Sequence, residues 1–156
     1  MTHIDEALIQ RLYSPLSGWA THRLGLDQWR LSLECLNGHI AFYVTGVALT
    51  IAGKGADDGI FTNMLIALAW LLIMEVVRRV AQRQAGSSMG VQSARLGEWH
   101  FRTIGACVLP VSLYYVEGWS NACYTVSLFL LVSHLYFKAC DTPPPEPRGR
   151  LAHNRA

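Results

Sequence analysis

Among the polar side chains inside otherwise apolar stretches of this sequence, Asn37, His39, Glu75 and His134 stand out. A polar or ionisable group in hydrocarbon is costly, so each is a functional candidate by default. His39 lies one to two turns inside the start of its stretch, whereas Glu75 and His134 lie about one turn from the ends of theirs. If successive stretches run in alternating directions, these three groups share one depth, with Asn37, Glu34, His100 and Arg102 in or near the same layer. Two imidazoles and a carboxylate are suitable ligands for zinc, iron or copper. His39 and His134 on separate helices of a four-helix bundle could also hold haem iron, and histidine titrates near neutral pH, which suits a proton relay.

The same residues also have plain structural readings. Glu75 precedes Arg79 by four positions, the favourable order for an ion pair on one helix. The histidines can hydrogen-bond across a bundle, and no HxxxH or CxxC spacing supports them as ligands. No cofactor is therefore expected, with haem or a transition metal at His39 and His134 as the alternative. At the opposite end, Asp57, Asp58 and Glu117 could draw cations to a pore mouth, or simply cap helices.

The elements that must position these groups are apolar helices. Residues 60–80 read IFTNMLIALAWLLIMEVVRRV, in which only Asn63 and Glu75 interrupt the run before Arg78 and Arg79. About 18 apolar residues make a helix of roughly 27 Å, enough to cross a bilayer core. The 156 residues are 51% hydrophobic and only 15% charged, against about 25% charge in a typical soluble domain. The predicted fold is an all-α integral membrane protein, a four-helix transmembrane bundle running up-down-up-down. Its spans are expected near 33–52, 60–78, 101–116 and 122–138. The runner-up makes residues 101–121 a re-entrant segment. Pro110 should kink the third span.

Residues 1–32 form an N-terminal interfacial segment. Ile4, Leu8 and Leu12 recur every four residues, which predicts a short amphipathic helix ending near Ser14-Pro15. Trp19 and Trp29 beside Arg23 and Arg30 suit a headgroup layer. Asp27 could cap an early start of the first span. Ala41, Thr45, Ala48 and Ala52 put small residues on one face, where helix backbones can approach closely. Gly53–Gly59 is a tight loop, and residues 139–156, rich in proline and charge, are expected to be a disordered cytoplasmic tail.

Charge fixes the expected orientation. With both termini inside, inner segments hold every arginine and Lys138, while the outer loops hold only Lys54. Arg78, Arg79, Arg83, Arg95 and Arg102 then form a basic rim at the inner lipid interface. The net charge of +2 gives no argument for nucleic acid. Cys35 and Cys140 belong to the inner side, Cys107 to the third span and Cys123 to the outer side, so no disulfide framework is expected. No nucleotide-binding, metalloprotease or nucleophile-elbow motif is present, so the chain reads as a non-enzyme. No internal repeat of 20–50 residues is expected.

The chain has the size of four-span proteins such as small multidrug exporters and phage holins, but it shares none of their motifs. The leading expectation is an accessory or structural subunit of a membrane complex, acting through helix–helix contacts with itself or other membrane subunits. An oligomeric channel, holin-like pore or proton-coupled transporter is the alternative, and a His-ligated haem or metal protein the third.

Overall fold

The structure, a computed structural model, describes residues 3–54, 59–85, 94 and 96–140, and every regular element among them is helical. Helix α1 (His3–Leu8) passes through a π-helical turn (Ile9–Tyr13) into α2 (Ser14–Leu24) without a break. After Gly25 come α3 (Gln28–Lys54) and α4 (Ile60–Gln84). Helices α5 (Trp99–Tyr114) and α6 (Gly118–Lys138) complete the described chain.

Pro15 does not end the N-terminal helix. The π turn widens the backbone just before it, with the Ser14 N–H reaching back to the Ile9 carbonyl. Pro15 follows directly at the start of α2, where the widened turn leaves room for its ring. The helix stops instead at Gly25, which takes the left-handed conformation (φ 66°) that glycine adopts without strain. Asp27 caps the next helix as expected, its carboxylate accepting the Arg30 N–H at 2.7 Å.

Two helices, α3 over Gln28–Gly53 and α4, are long and apolar enough to cross a membrane. Helices α5 and α6 fall outside that criterion. At 16 residues α5 is roughly 24 Å long, short of a hydrocarbon core of about 30 Å. In α6 the inward face carries Ser127, Ser133 and His134, which lowers its hydropathy.

The centre of the fold is the antiparallel pair α3 and α6. On α3 the contacts to α6 come from Ser32, His39, Tyr43, Gly46 and Thr50, in steps of three, four and seven; on α6 they come from Tyr124, Ser127 and His134. This is the heptad pattern of two helices packed side by side. Glycine lets them close: a Cβ on Gly46 would lie 2.9 Å from the Tyr124 ring, and one on Gly38 would lie 3.0 Å from Leu130. The small face at Ala41, Thr45, Ala48 and Ala52 is exposed.

The N-terminal helix packs across the far end of α6. Ile9 and Tyr13 join Val132, Tyr136, Phe137, Ala139 and Cys140 in one buried cluster. Tyr13 stacks on Tyr136 at 4.6 Å, meets Phe137 edge-on, and its hydroxyl lies 3.2 Å from Ser133 Oγ. Burial pushes the Tyr13 phenol above its ordinary range. The buried stripe is therefore Asp5, Ile9, Tyr13 and Ser17, while Ile4 and Leu12 of the expected stripe are exposed. Helix α5 lies against α6, close enough that a Cβ on Gly105 would come within 2.6 Å of Val132.

Candidate functional site: reciprocal Ser–His clasps

His39 and His134 both lie on the α3–α6 contact line, and each is held by a serine of the other helix. The His134 Nδ1–H donates to the Ser32 carbonyl at 2.9 Å, and Ser32 Oγ lies 2.8 Å from the same nitrogen. The Ser32 hydroxyl donates to the His134 carbonyl at 3.1 Å. The other clasp repeats this geometry. His39 Nδ1–H donates to the Ser127 carbonyl at 2.9 Å, Ser127 Oγ lies 2.8 Å from it, and the Ser127 hydroxyl donates to the His39 carbonyl at 3.1 Å. With each hydroxyl proton committed to a carbonyl, each Oγ accepts from an imidazole N–H, which assigns the Nδ1–H tautomer to both rings.

The symmetry is written in the sequence. Residues 9–42 align without a gap on residues 104–137, with eight identical pairs among 34 positions. They are Ile9/Ile104, Pro15/Pro110, Ser17/Ser112, Ser32/Ser127, Leu33/Leu128, Leu36/Leu131, His39/His134 and Phe42/Phe137. Trp19/Tyr114, Trp29/Tyr124 and Ile40/Leu135 add like pairs. The repeated core is S-L-x-x-L-x-x-H. Because α3 and α6 are antiparallel, a local two-fold axis between them sets each serine opposite the other repeat's histidine. This 34-residue correspondence corrects the expectation of no internal repeat, which a search for adjacent copies misses because α4 lies between the two halves.

Beyond the clasps the two histidines differ. The Trp70 indole N–H of α4 donates to His39 Nε2 at 3.2 Å, so both nitrogens of His39 are engaged. His134 is fully buried, and its Nε2 has no hydrogen-bond partner among the described residues. Trp70 also packs beside Tyr43, at 6.2 Å between ring centres.

The layer of candidate groups is only partly brought together. Glu75 is bonded within its own helix, at 2.7 Å from Arg78 and 2.9 Å from Arg79, the ion-pair reading weighed above. Asn37 is exposed, as are Arg79 and Arg83. Glu117 is exposed at the start of α6 and makes no side-chain cap bond. Asp57, Asp58, Arg95 and residues 141–156 lie outside the described residues.

Arg102 corrects the expected basic rim, because it is completely buried. Its Nε and Nη2 donate to the two Asp5 oxygens at 3.0 and 2.9 Å, and Nη1 donates to the Ala94 carbonyl. The guanidinium also lies over the Tyr136 ring. A buried guanidinium needs a carboxylate in bidentate geometry, and Asp5 supplies it by bringing the N-terminal helix against α5 and α6. Lys138 is likewise buried, 2.7 Å from Glu98.

The missed residues are Asp5, Ser32, Trp70 and Ser127. The serines had a signal, the repeated S-L-x-x-L-x-x-H. Asp5 had none, since a pairing across 97 positions depends on how the helices dock. Chemically, the clasps lock two helices in register. As for metal, no group of three or more His, Cys, Asp or Glu side chains converges among the described residues. No protein-family model, curated protein or solved structure matches the chain.

Proposed function

We propose that the chain is an integral membrane protein, a four-helix bundle with cytoplasmic termini and an N-terminal interfacial helix, and that it serves as an accessory or structural subunit through helix–helix contacts. The observation that carries this reading is an apolar exterior around an interior where polar side chains lie beside the apolar cluster. The interior holds Asp5, Ser32, His39, Arg102, Ser127 and His134, while Phe61, Ile66, Leu72, Phe101, Ile104 and Leu113 are more than half exposed. Large contiguous apolar surface in water marks an interaction site. In lipid that surface costs nothing, and polar side chains gather between helices as adhesive contacts.

Helix α4 exposes apolar side chains around most of its circumference, burying mainly Ala67, Met74 and Ala81. The outward small face at Ala41, Thr45, Ala48 and Ala52 leaves room for another helix to approach α3. Aromatic residues mark both ends, with exposed Trp19 at the basic end and Tyr114, Tyr115 and Trp119 at the other. The short α5 fits a locally thinned bilayer. On the N-terminal helix the exposed Ile4, Leu12, Leu16 and Trp19 suit headgroup contact, opposite the face that packs on α6.

The test is alkaline carbonate extraction of membranes, followed by cross-linking and native electrophoresis. The chain should stay in the membrane pellet and migrate with a partner or further copies. Release into the supernatant would overturn the membrane reading. A monomer whose ion flux in liposomes is abolished by Glu75→Gln would overturn the subunit reading in favour of transport.

A further inference from the structure

Toward the end of the fold opposite the basic end, the last turns of α3 and the first turns of α4 and α6 surround a cavity of about 190 Å³. Its polar lining is Tyr43 and Thr50 from α3, Asn63 from α4 and Tyr124 from α6, and no charged residue lines it among the described residues. Val47 and Tyr43 lie two and three turns before the end of α3 at Lys54, roughly 10 and 16 Å below it. At this deep end the Tyr43 ring lies 6.2 Å from both the His39 and the Trp70 rings.

The hydrogen bonds of the wall identify its occupant. The Thr50 hydroxyl donates to the Gly46 carbonyl at 2.8 Å, so its oxygen accepts from the Tyr124 O–H, 3.2 Å away. Thr50 and Tyr124 therefore offer the cavity only lone pairs, which accept. The Tyr43 hydroxyl and the Asn63 amide make no hydrogen bond among the described residues, and each can donate as well as accept. An occupant must then donate to one part of the wall and accept from another. An ester carbonyl only accepts, an acyl chain does neither, and no lining charge holds an ion. Water does both, and at roughly 30 Å³ each several molecules fit. We propose that this cavity is an aqueous vestibule, which brings water from the face opposite the basic end down to Tyr43, about half-way through a hydrocarbon core of about 30 Å. It admits small neutral hydrogen-bonding solutes to the same depth. The inference rests on the membrane reading above, because only in a membrane does water at that depth depend on the protein. In hydrocarbon the same four polar groups would be left unsatisfied, at a cost that water removes. His39 lies one turn further in, with its Nε2 held by the Trp70 N–H.

The experiment is cysteine labelling of the full chain in right-side-out and inverted membrane vesicles, with a membrane-impermeant methanethiosulfonate and the adduct followed at the modified peptide. The reagent attacks a thiolate, which forms only where water reaches the sulfur. Val47→Cys and Asn63→Cys place thiols on the cavity wall. Leu72→Cys is the control: it is 61% exposed, lines neither this cavity nor the neighbouring apolar groove, and lies four helical residues past Leu68, near the depth of Tyr43. Both wall thiols should label on the order of 10²-fold faster than the control, from the face opposite the basic end. Adding Asn63→Leu to Val47→Cys removes the amide and should slow labelling about tenfold, while the melting temperature stays near that of Val47→Cys. Asn63 is exposed, so Asn63→Cys reads the wall even if a change at Val47 disturbs packing. An integral protein whose wall thiols label as slowly as Leu72→Cys, label only from the basic end, or ignore Asn63→Leu would overturn this proposal alone. Equally fast labelling of all three thiols, with release of the chain by carbonate, would overturn the membrane reading beneath it.

Discussion

Removing either partner of the Asp5–Arg102 pair should undock the N-terminal helix, and removing both should not. Both side chains are fully buried and meet through two hydrogen bonds of 3.0 and 2.9 Å. At that separation, in an effective dielectric of about 20, the attraction is roughly 6 kcal/mol. Much of it offsets the desolvation of the two ions, so the pair contributes little net stability. A single replacement, Asp5→Leu or Arg102→Met, leaves one buried charge uncompensated and should cost about 3–5 kcal/mol. The double variant removes both charges and leaves the Ala94 carbonyl short of one donor, a loss of about 1 kcal/mol.

Cys140 provides the assay. It is a completely buried thiol in the cluster that Ile9 and Tyr13 cover, so it reacts with a maleimide only when the N-terminal helix lifts away. Labelling followed at the Cys140 peptide avoids interference from Cys35, Cys107 and Cys123. Each single variant should raise the rate on the order of 10²–10⁴-fold, and the double variant by less than about tenfold. Single variants that label like wild type, or a double variant as reactive as either single, would refute the reasoning.

Two further outcomes follow from the α3–α6 and α5–α6 contacts. Ser32→Ala and Ser127→Ala each delete one hydroxyl from one of two matched clasps. They should lower stability equally, by about 1–2 kcal/mol, and unequal losses in thermal melts would deny the two-fold relationship. Gly105→Ala places a Cβ within 2.6 Å of Val132 and should destabilise by about 1–3 kcal/mol. Adding Val132→Ala should recover much of that loss in the same melts, and no recovery would show that the close approach is absent.

Several features were legible because they are local. The Asp27 cap needs only its own carboxylate and the amide three residues on. Glu75 lies within reach of Arg78 and Arg79 on any helix, whereas Gly53, expected to open a tight loop, lies inside α3. Pro15 misled for a related reason: proline ends a regular helix, but the π turn at Ile9–Tyr13 had no signature of its own. At the candidate site, His39 and His134 stood out as polar residues in apolar runs, while the serines that hold them did not. Serine is common and uncharged, and only pairing the two repeats reveals why Ser32 and Ser127 matter.

The helical character of the chain and the two long apolar helices were readable along the sequence, since these depend on neighbours in the chain and on summed composition. Which side of each helix faces inward emerged only when the helices docked. Periodicity identifies the inner face of a helix when the exterior is water, because apolar residues then collect on one side. Here the inner faces carry Ser, His, Gly, Asp and Arg beside Ile, Leu, Tyr and Val, while the outer faces carry Leu, Ile and Phe, so apolar periodicity does not mark the inner side. The Asp5–Arg102 pair and the two clasps exist only because helices distant in sequence dock at contact distance. In a low-dielectric interior each polar group must then find its partner among the residues that docking supplies.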